Sequence, residues 1–235
     1  MKVLVCVLLA VLLTETSASS SGLVPNVSLY DVVWSYSDPL AEEILRSSSF
    51  VEALRSSRLT ERCYTRFVQQ EALYLHRVSS ILGVLVNSLQ EEDDIRSLLL
   101  DTLKHYSSRN QSVQASPPPQ WLLSSLLSFP SLVLEEPVYW LVALSARAGL
   151  RRFLAERLLF SQLRPGASLL FEAEEWSKET LREVAWTRRY RRVLEERQDR
   201  MDVFKAINIF REHMLNQKSF YKTVSCDEDE DSSCG

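Results

Sequence analysis

The stretch Thr60-Glu61-Arg62-Cys63-Tyr64-Thr65-Arg66-Phe67-Val68-Gln69-Gln70-Glu71-Ala72-Leu73-Tyr74-Leu75 reads as the start of a long helix. Thr60 is a good N-cap residue, because its hydroxyl accepts a bond from a free N–H of the first turn. Glu61 puts negative charge where the helix dipole favours it. Tyr64, Phe67, Val68, Tyr74, Leu75, Val78, Ile81, Leu82 and Leu85 recur at helical spacing. The helix therefore runs to about Leu89, roughly 45 Å at 1.5 Å per residue. Phe67, Glu71, Tyr74 and Val78 share one face, and Tyr64 joins it one turn earlier. Glu71 thus stands in the middle of an apolar, aromatic stripe. A buried carboxylate is costly unless something pairs with it. Two readings are open. Glu71 is a structural acid paired to an Arg or a Tyr hydroxyl, or it is the floor of an aromatic pocket placed for a basic ligand.

Outward from this helix the chain stays helical. Four acids at 91–94 begin a second helix, to about Ser107, with Ile95, Leu98, Leu99 and Leu103 as its stripe. Pro117-Pro118-Pro119 demands an extended connector. A short helix follows from Trp121 to Leu127, with Pro130 as its break. Another long helix runs from about Glu135 to Leu163, Pro137 being tolerated in its first turn. Leu163-Arg164-Pro165-Gly166 is a stop and turn. From Glu172 to Val224 there is no Gly or Pro, enough for two helices or one kinked one. No stretch alternates with the period of a strand. The expectation is an all-α bundle of about six to eight helices.

Composition agrees. The chain has 235 residues, of which 46% are hydrophobic and 25% charged, with only 5 Gly and 8 Pro. No glycine-rich phosphate cradle is present. The His residues (76, 105, 213) form no Glu-x-x-His pair, so a di-iron site is not expected, and the cysteines lack zinc spacing. No metal or cofactor is expected.

The ends have their own logic. Met1-Lys2, the apolar run Val3 to Leu13 and the small residues before Ala18 read as a secretory signal peptide, residues 1–18, too short to span a bilayer. No later run suits a membrane span, so after cleavage no membrane partner is expected, and the address is secreted or extracellular. Asn26-Val27-Ser28 and Asn110-Gln111-Ser112 are glycosylation acceptors that fit that address. Residues 19–224 form one helical domain, and 225–235 an acidic tail bracketed by Cys226 and Cys234. Those two cysteines are candidates to close a small ring. Cys63–Cys226 is the competing pair, and spacing does not choose between them. The tail's five acids carry the chain's charge of −4; without them it is +1. A nucleic-acid partner is not expected of so neutral a body. Arg188-Arg189-x-Arg191-Arg192, flanked by Glu183, Glu195 and Glu196, reads as a solvated helix face.

The segment Ser49 to Leu59, then Phe67 to Leu75, resembles the N-terminal signature of the TenA/thiaminase II family, "h-P-F-v-x-x-i-x-x-G-x-L … F-x-x-Y-x-x-Q-D-x-x-Y-L". The matching features are Phe50-Val51, Leu59, Gln70, an acid at Glu71, and Tyr74-Leu75. Trp140-Leu141-Val142-Ala143-Leu144 is similar to the family's "i-L-A-A-L-x-P-C" helix. Ile209-Phe210 … Phe220-Tyr221 is similar to its closing helix. The resemblance implies a heme-oxygenase-like multi-helix bundle without heme, no cofactor, a thiamine-like or pyrimidine small-molecule ligand, and a homo-oligomer. It places Glu71 and Tyr74 where the family's acid and tyrosine hold an aminopyrimidine; Tyr64 and Phe67, which share their helix face by spacing, are the further ligand-binding candidates. The nucleophilic Cys position falls on Arg147, and the proton-carrying Glu position on Gln217.

Those departures bear on chemistry. Arg is no nucleophile, and Gln carries no proton between substrate and water. Some branches of the family lack the Cys and use a carboxylate instead. Glu71 and Gln217 are therefore the catalytic candidates if chemistry survives. Arg147 opposite Glu71 predicts a charge-assisted pair that fills the pocket. Two functions follow. One is a secreted thiaminase-like binder or hydrolase. The other is a secreted cytokine-like interaction protein with a solid core at these positions.

Overall fold

Thr60 caps the long helix as its sequence requires, accepting from the Cys63 N–H at 3.2 Å. The computed structural model describes residues 27–90, 93–109, 120–132, 135–162 and 171–226. Residues 1–18, expected to be a signal peptide, and Asn26, Asn110, the triple proline and Cys234 lie outside them. Helices α1 (Leu29–Ser35), α2 (Asp38–Ser47) and α3 (Ser49–Arg55) precede the long helix α4 (Glu61–Ser88). After it come α5 (Asp94–Ser108), α6 (Gln120–Leu132), α7 (Pro137–Gln162) and α8 (Phe171–Arg197). A 3-10 turn, Gln198–Arg200, leads into α9 (Val203–Thr223).

Among the described residues these nine α-helices are accompanied by no strand, which is more helices than periodicity suggests. The extra ones, α1 to α3, are 7 to 10 residues long, too short to display a repeating stripe. Helix α6 also continues through Pro130 to Leu132, beyond the break expected there. In the last turn a proline removes a single donor, and the helix ends two residues later.

Helix α7 is the axis of the bundle. Residues 138–151 are all buried, and the helix packs mainly on α8 and α9. Gly149 lets α1 cross it: a Cβ there would meet the Tyr30 hydroxyl at 2.6 Å and the Trp34 ring at 3.1 Å. Helix α3 ends in a paired-carbonyl cap, with Arg58 N–H on Ala53 O at 2.8 Å and Ser57 N–H on Leu54 O at 3.3 Å. Ser57 has a φ of 56°, the left-handed conformation such a cap requires. It stands where the resembled signature carries its glycine, which adopts that conformation without strain.

Cys63, in the first turn of α4, is bonded to Cys226. Of the two pairings that the sequence leaves open, this is the one that ties the tail to the body, and it excludes the ring between Cys226 and Cys234. The reason is tertiary: the segment after α9 returns to the start of α4, where Cys226 N–H donates to Ser49 Oγ at 3.0 Å and Arg66 Nη1 reaches Ser225 O at 3.5 Å. The basic run on α8 is paired as a solvated face, Arg189 with Asp101 at 2.5 Å and Arg191 with Asp31 at 2.7 Å.

His213 on α9 is buried in a T-shaped contact with Phe129, centroids 4.7 Å apart, and among the described residues its Nε2 has no hydrogen-bond partner. Burial pushes its pKa down to about 3. The folded value lies below the unfolded one, near 6.5. The unfolded chain therefore takes up a proton first, and stability is lost as pH falls from about 6.5 toward 3. Urea midpoints should drop across that window, and His213→Leu should flatten the fall. An unchanged slope in the variant would remove His213 as its source.

Candidate functional site

The site is built where three helices turn acids and bases inward. On α4 the acid of the aromatic stripe, Glu71, is 5% exposed. On α7, Arg147 and Arg151 stand one turn apart inside the fully buried stretch. On α8 the stripe Trp176, Thr180, Glu183, Thr187 is spaced like that of α4, with Glu183 at its centre and 2% exposed. Arg109, the C-cap of α5, closes the group from the outer side.

These groups form one network. Glu71 Oε1 accepts from Arg147 Nη2 at 2.7 Å and from Arg151 Nη2. Glu71 Oε2 accepts from Arg109 Nη2 at 3.0 Å. Glu183 pairs with Arg147 Nη1 at 2.9 Å, Arg109 Nη1 at 3.2 Å and His105 Nε2 at 3.1 Å. Arg109 also meets Glu179 at 2.8 Å. Arg151 donates to Thr180 at 3.3 Å and lies over the Phe67 ring, 5.0 Å from its centroid.

The protonation states follow. Burial alone would raise the Glu183 pKa, but Arg147, His105 and Arg109 together hold it well below the usual carboxylate range. Burial would lower that of Arg147, but Glu183 and neighbouring groups raise it. Glu183 is thus a fixed anion at neutral pH and a weak proton acceptor. Cys63 is held in its disulfide and offers no thiolate. Among the described residues no group of His, Cys, Asp and Glu is arranged to hold a metal ion. No described helix is long and apolar enough to cross a membrane.

A groove of about 400 Å³ opens from the surface toward this cluster, lined by Tyr64, Glu71, His105, Arg109 and Glu179 among others. Tyr64 is half-buried, and burial with Glu179 and Glu175 raises its pKa. Of the residues singled out in the sequence, Glu71 and Tyr64 therefore line the groove. Phe67, Tyr74, Arg147 and Gln217 lie in the packed interior. Phe67 stacks on Phe50 with centroids 4.0 Å apart. Tyr74 is buried and stacked on Trp121, and burial pushes its pKa up to about 12. Gln70 accepts from the Trp121 indole at 3.2 Å. The cavity expected along Glu71 and Tyr74 is displaced: side chains fill the Tyr74 side, and open space lies on the Tyr64 side. The expected Arg147–Glu71 pair is present.

Arg151, Arg109 and Glu179 do not figure in the sequence reading, which counts His105 only in weighing a metal site and places Glu183 beside a solvated helix face; the burial of Glu183, 2% exposed, corrects that placement. Arg151 had a weak signal: it lies at i+4 from Arg147, so a helix that turns one of them inward turns the other toward the same face. Glu183 stands at the same helical spacing as Glu71, but the threonines at 180 and 187 on its face make the apolar signal weaker there. Arg109 and His105 had none, since their roles depend on where the end of α5 docks.

No protein-family model and no curated protein matches the chain. Among solved structures it is similar to one described as "TenA homologue protein from P.horikoshii OT3". The TM-score is 0.69 at 14% sequence identity, over 84% of this chain and 98% of that one. The likeness establishes the fold, an all-α bundle of the heme-oxygenase-like type.

Proposed function

We propose that the chain is a secreted TenA-type protein that binds an aminopyrimidine- or thiamine-type ligand without cleaving it through a covalent intermediate. The observation that carries this reading is a buried carboxylate, Glu71, at the inner end of a groove flanked by the Tyr64 ring. The ring and the acid suit a flat heteroaromatic amine. Arg147 and Gln217 stand at the two positions where the resemblance places nucleophile and proton carrier, which supports binding without turnover. The leader at 1–18, the acceptors Asn26 and Asn110 and the Cys63–Cys226 bond support an oxidising, extracellular address.

The test is titration of the secreted protein with thiamine and with an aminopyrimidine, combined with product detection. Saturable binding without product is the expected result. Tyr64→Ala should weaken it about tenfold, the loss of one aromatic contact and its buried area. Product formation would overturn the non-catalytic half of the reading. Absence of binding to both compounds would transfer support to a second reading, a secreted cytokine-like interaction protein. The solid packing around Tyr74, Arg147 and Gln217 favours that rival, as does α6, which exposes Leu123 and Leu127 one turn apart.

A further inference from the structure

Arg109 is the outermost guanidinium of the buried cluster. Its side chain is 19% exposed, against 3% for Arg147 and for Arg151. It stands between the open groove and Glu71 Oε2. Carboxylates of Glu71, Glu179 and Glu183 converge on this one planar cation at 3.0, 2.8 and 3.2 Å. Burial and the positive charge of Arg147 both lower the Arg109 pKa, whereas that of Arg147 is raised. The charged form of Arg109 is therefore less stabilised by its surroundings than that of Arg147, and its side chain is the more exposed of the two.

Charge balance limits what can replace it. Glu71, Glu179 and Glu183 are balanced by Arg109, Arg147 and Arg151, while Arg182 meets Glu179 from the solvent side with 69% of its side chain exposed. Withdrawal of Arg109 removes the charge-assisted bond to Glu71 Oε2 and leaves Glu179 with the exposed Arg182 alone among the partners described above. A neutral ligand in its place restores no charge-assisted bond there. A compact ammonium restores the charge but not the flat fork of donors that meets several carboxylates at once. A planar cation with N–H groups on its edge restores both.

We propose that Arg109 is a tethered stand-in for the ligand, and that the groove takes a small molecule bearing a guanidinium or amidinium group. The ligand displaces Arg109, pairs with Glu71 and Glu179, and lays its apolar part along Tyr64 and Val68. This rests on the groove being a ligand site, but not on an aminopyrimidine being the ligand.

The experiment is calorimetric titration of the full secreted protein with methylguanidinium at non-denaturing concentrations, with methylammonium as the comparison cation. Wild type should bind methylguanidinium weakly but saturably. Arg109→Ala should bind it at least about tenfold more tightly, since one to two charge-assisted hydrogen bonds become available. Adding Glu179→Gln should reverse most of that gain, and methylammonium should bind at least about tenfold more weakly than methylguanidinium. Near-ultraviolet circular dichroism checks the fold. If Arg109→Ala does not fold, Arg109→Gln, which keeps the stem, serves the same comparison. A folded variant that binds methylguanidinium no better than wild type does, or no better than it binds methylammonium, overturns the proposal, as does the absence of saturable binding to wild type. Methylguanidinium binding without aminopyrimidine binding removes only the ligand class proposed above; the converse removes only this inference.

Discussion

Arg147→Met should cost about 3–5 kcal/mol of folding stability, the range for removing one partner from a buried ion pair. Arg147 joins the two most deeply buried acids of the site, with Nη2 at 2.7 Å from Glu71 and Nη1 at 2.9 Å from Glu183. Methionine preserves much of the volume, so the loss reads charge rather than a cavity. Glu71 keeps Arg151 and Arg109, but Glu183 keeps only Arg109 and His105 among the partners described above. Arg109→Ala should cost clearly less, because water reaches its position through the groove. Urea denaturation followed by tryptophan fluorescence measures both. The double variant Arg147→Met, Glu183→Leu should recover a large part of the loss, because no orphaned charge remains at Glu183. A loss below about 1 kcal/mol for Arg147→Met, the level of a solvated pair, would mean that the network is not energetically coupled.

Loss of the Cys63–Cys226 bond should be the other large effect. The two residues are 163 apart in sequence. The chain-entropy relation for a loop of that length gives roughly 5 kcal/mol, and removal of native disulfides from small secreted domains typically costs about 2–5 kcal/mol. Cys63→Ser and chemical reduction of wild type should lower the melting temperature by similar amounts, and Cys234→Ser should leave it unchanged. Peptide mapping without reductant should recover Cys63 joined to Cys226. Recovery of Cys226 joined to Cys234 would overturn the assignment. The bond fastens the end of α9 to the start of α4, beside the Phe50–Phe67 stack. Loosening should therefore be felt first at the base of the helix that carries Glu71.

Much of the architecture was legible along the chain. Helix α4 showed its cap at Thr60, its length and its inward acid, because capping and the 3.6-residue period are local properties. Helix α7 was similarly visible between Pro137 and Pro165-Gly166, whereas residues 172–224, with no Gly or Pro, left open whether they form α8 and α9 or one kinked helix. The short helices α1 to α3 were not, since two turns carry too little pattern. Glu71 announced itself as an acid that needed a partner, and Arg147 was one of the partners.

Periodicity and capping along the chain thus determined that this is a helical protein with a carboxylate turned into its core. The tertiary structure decided what that carboxylate meets. Its arginine partners lie 38, 76 and 80 residues away. They arrive through the docking of α5 and α7, which no local spacing encodes. The same docking placed Cys226 against Cys63 and moved the open space from Tyr74 to Tyr64. A side chain's direction follows from its own helix, whereas its counter-charge is supplied by whichever helix packs against it.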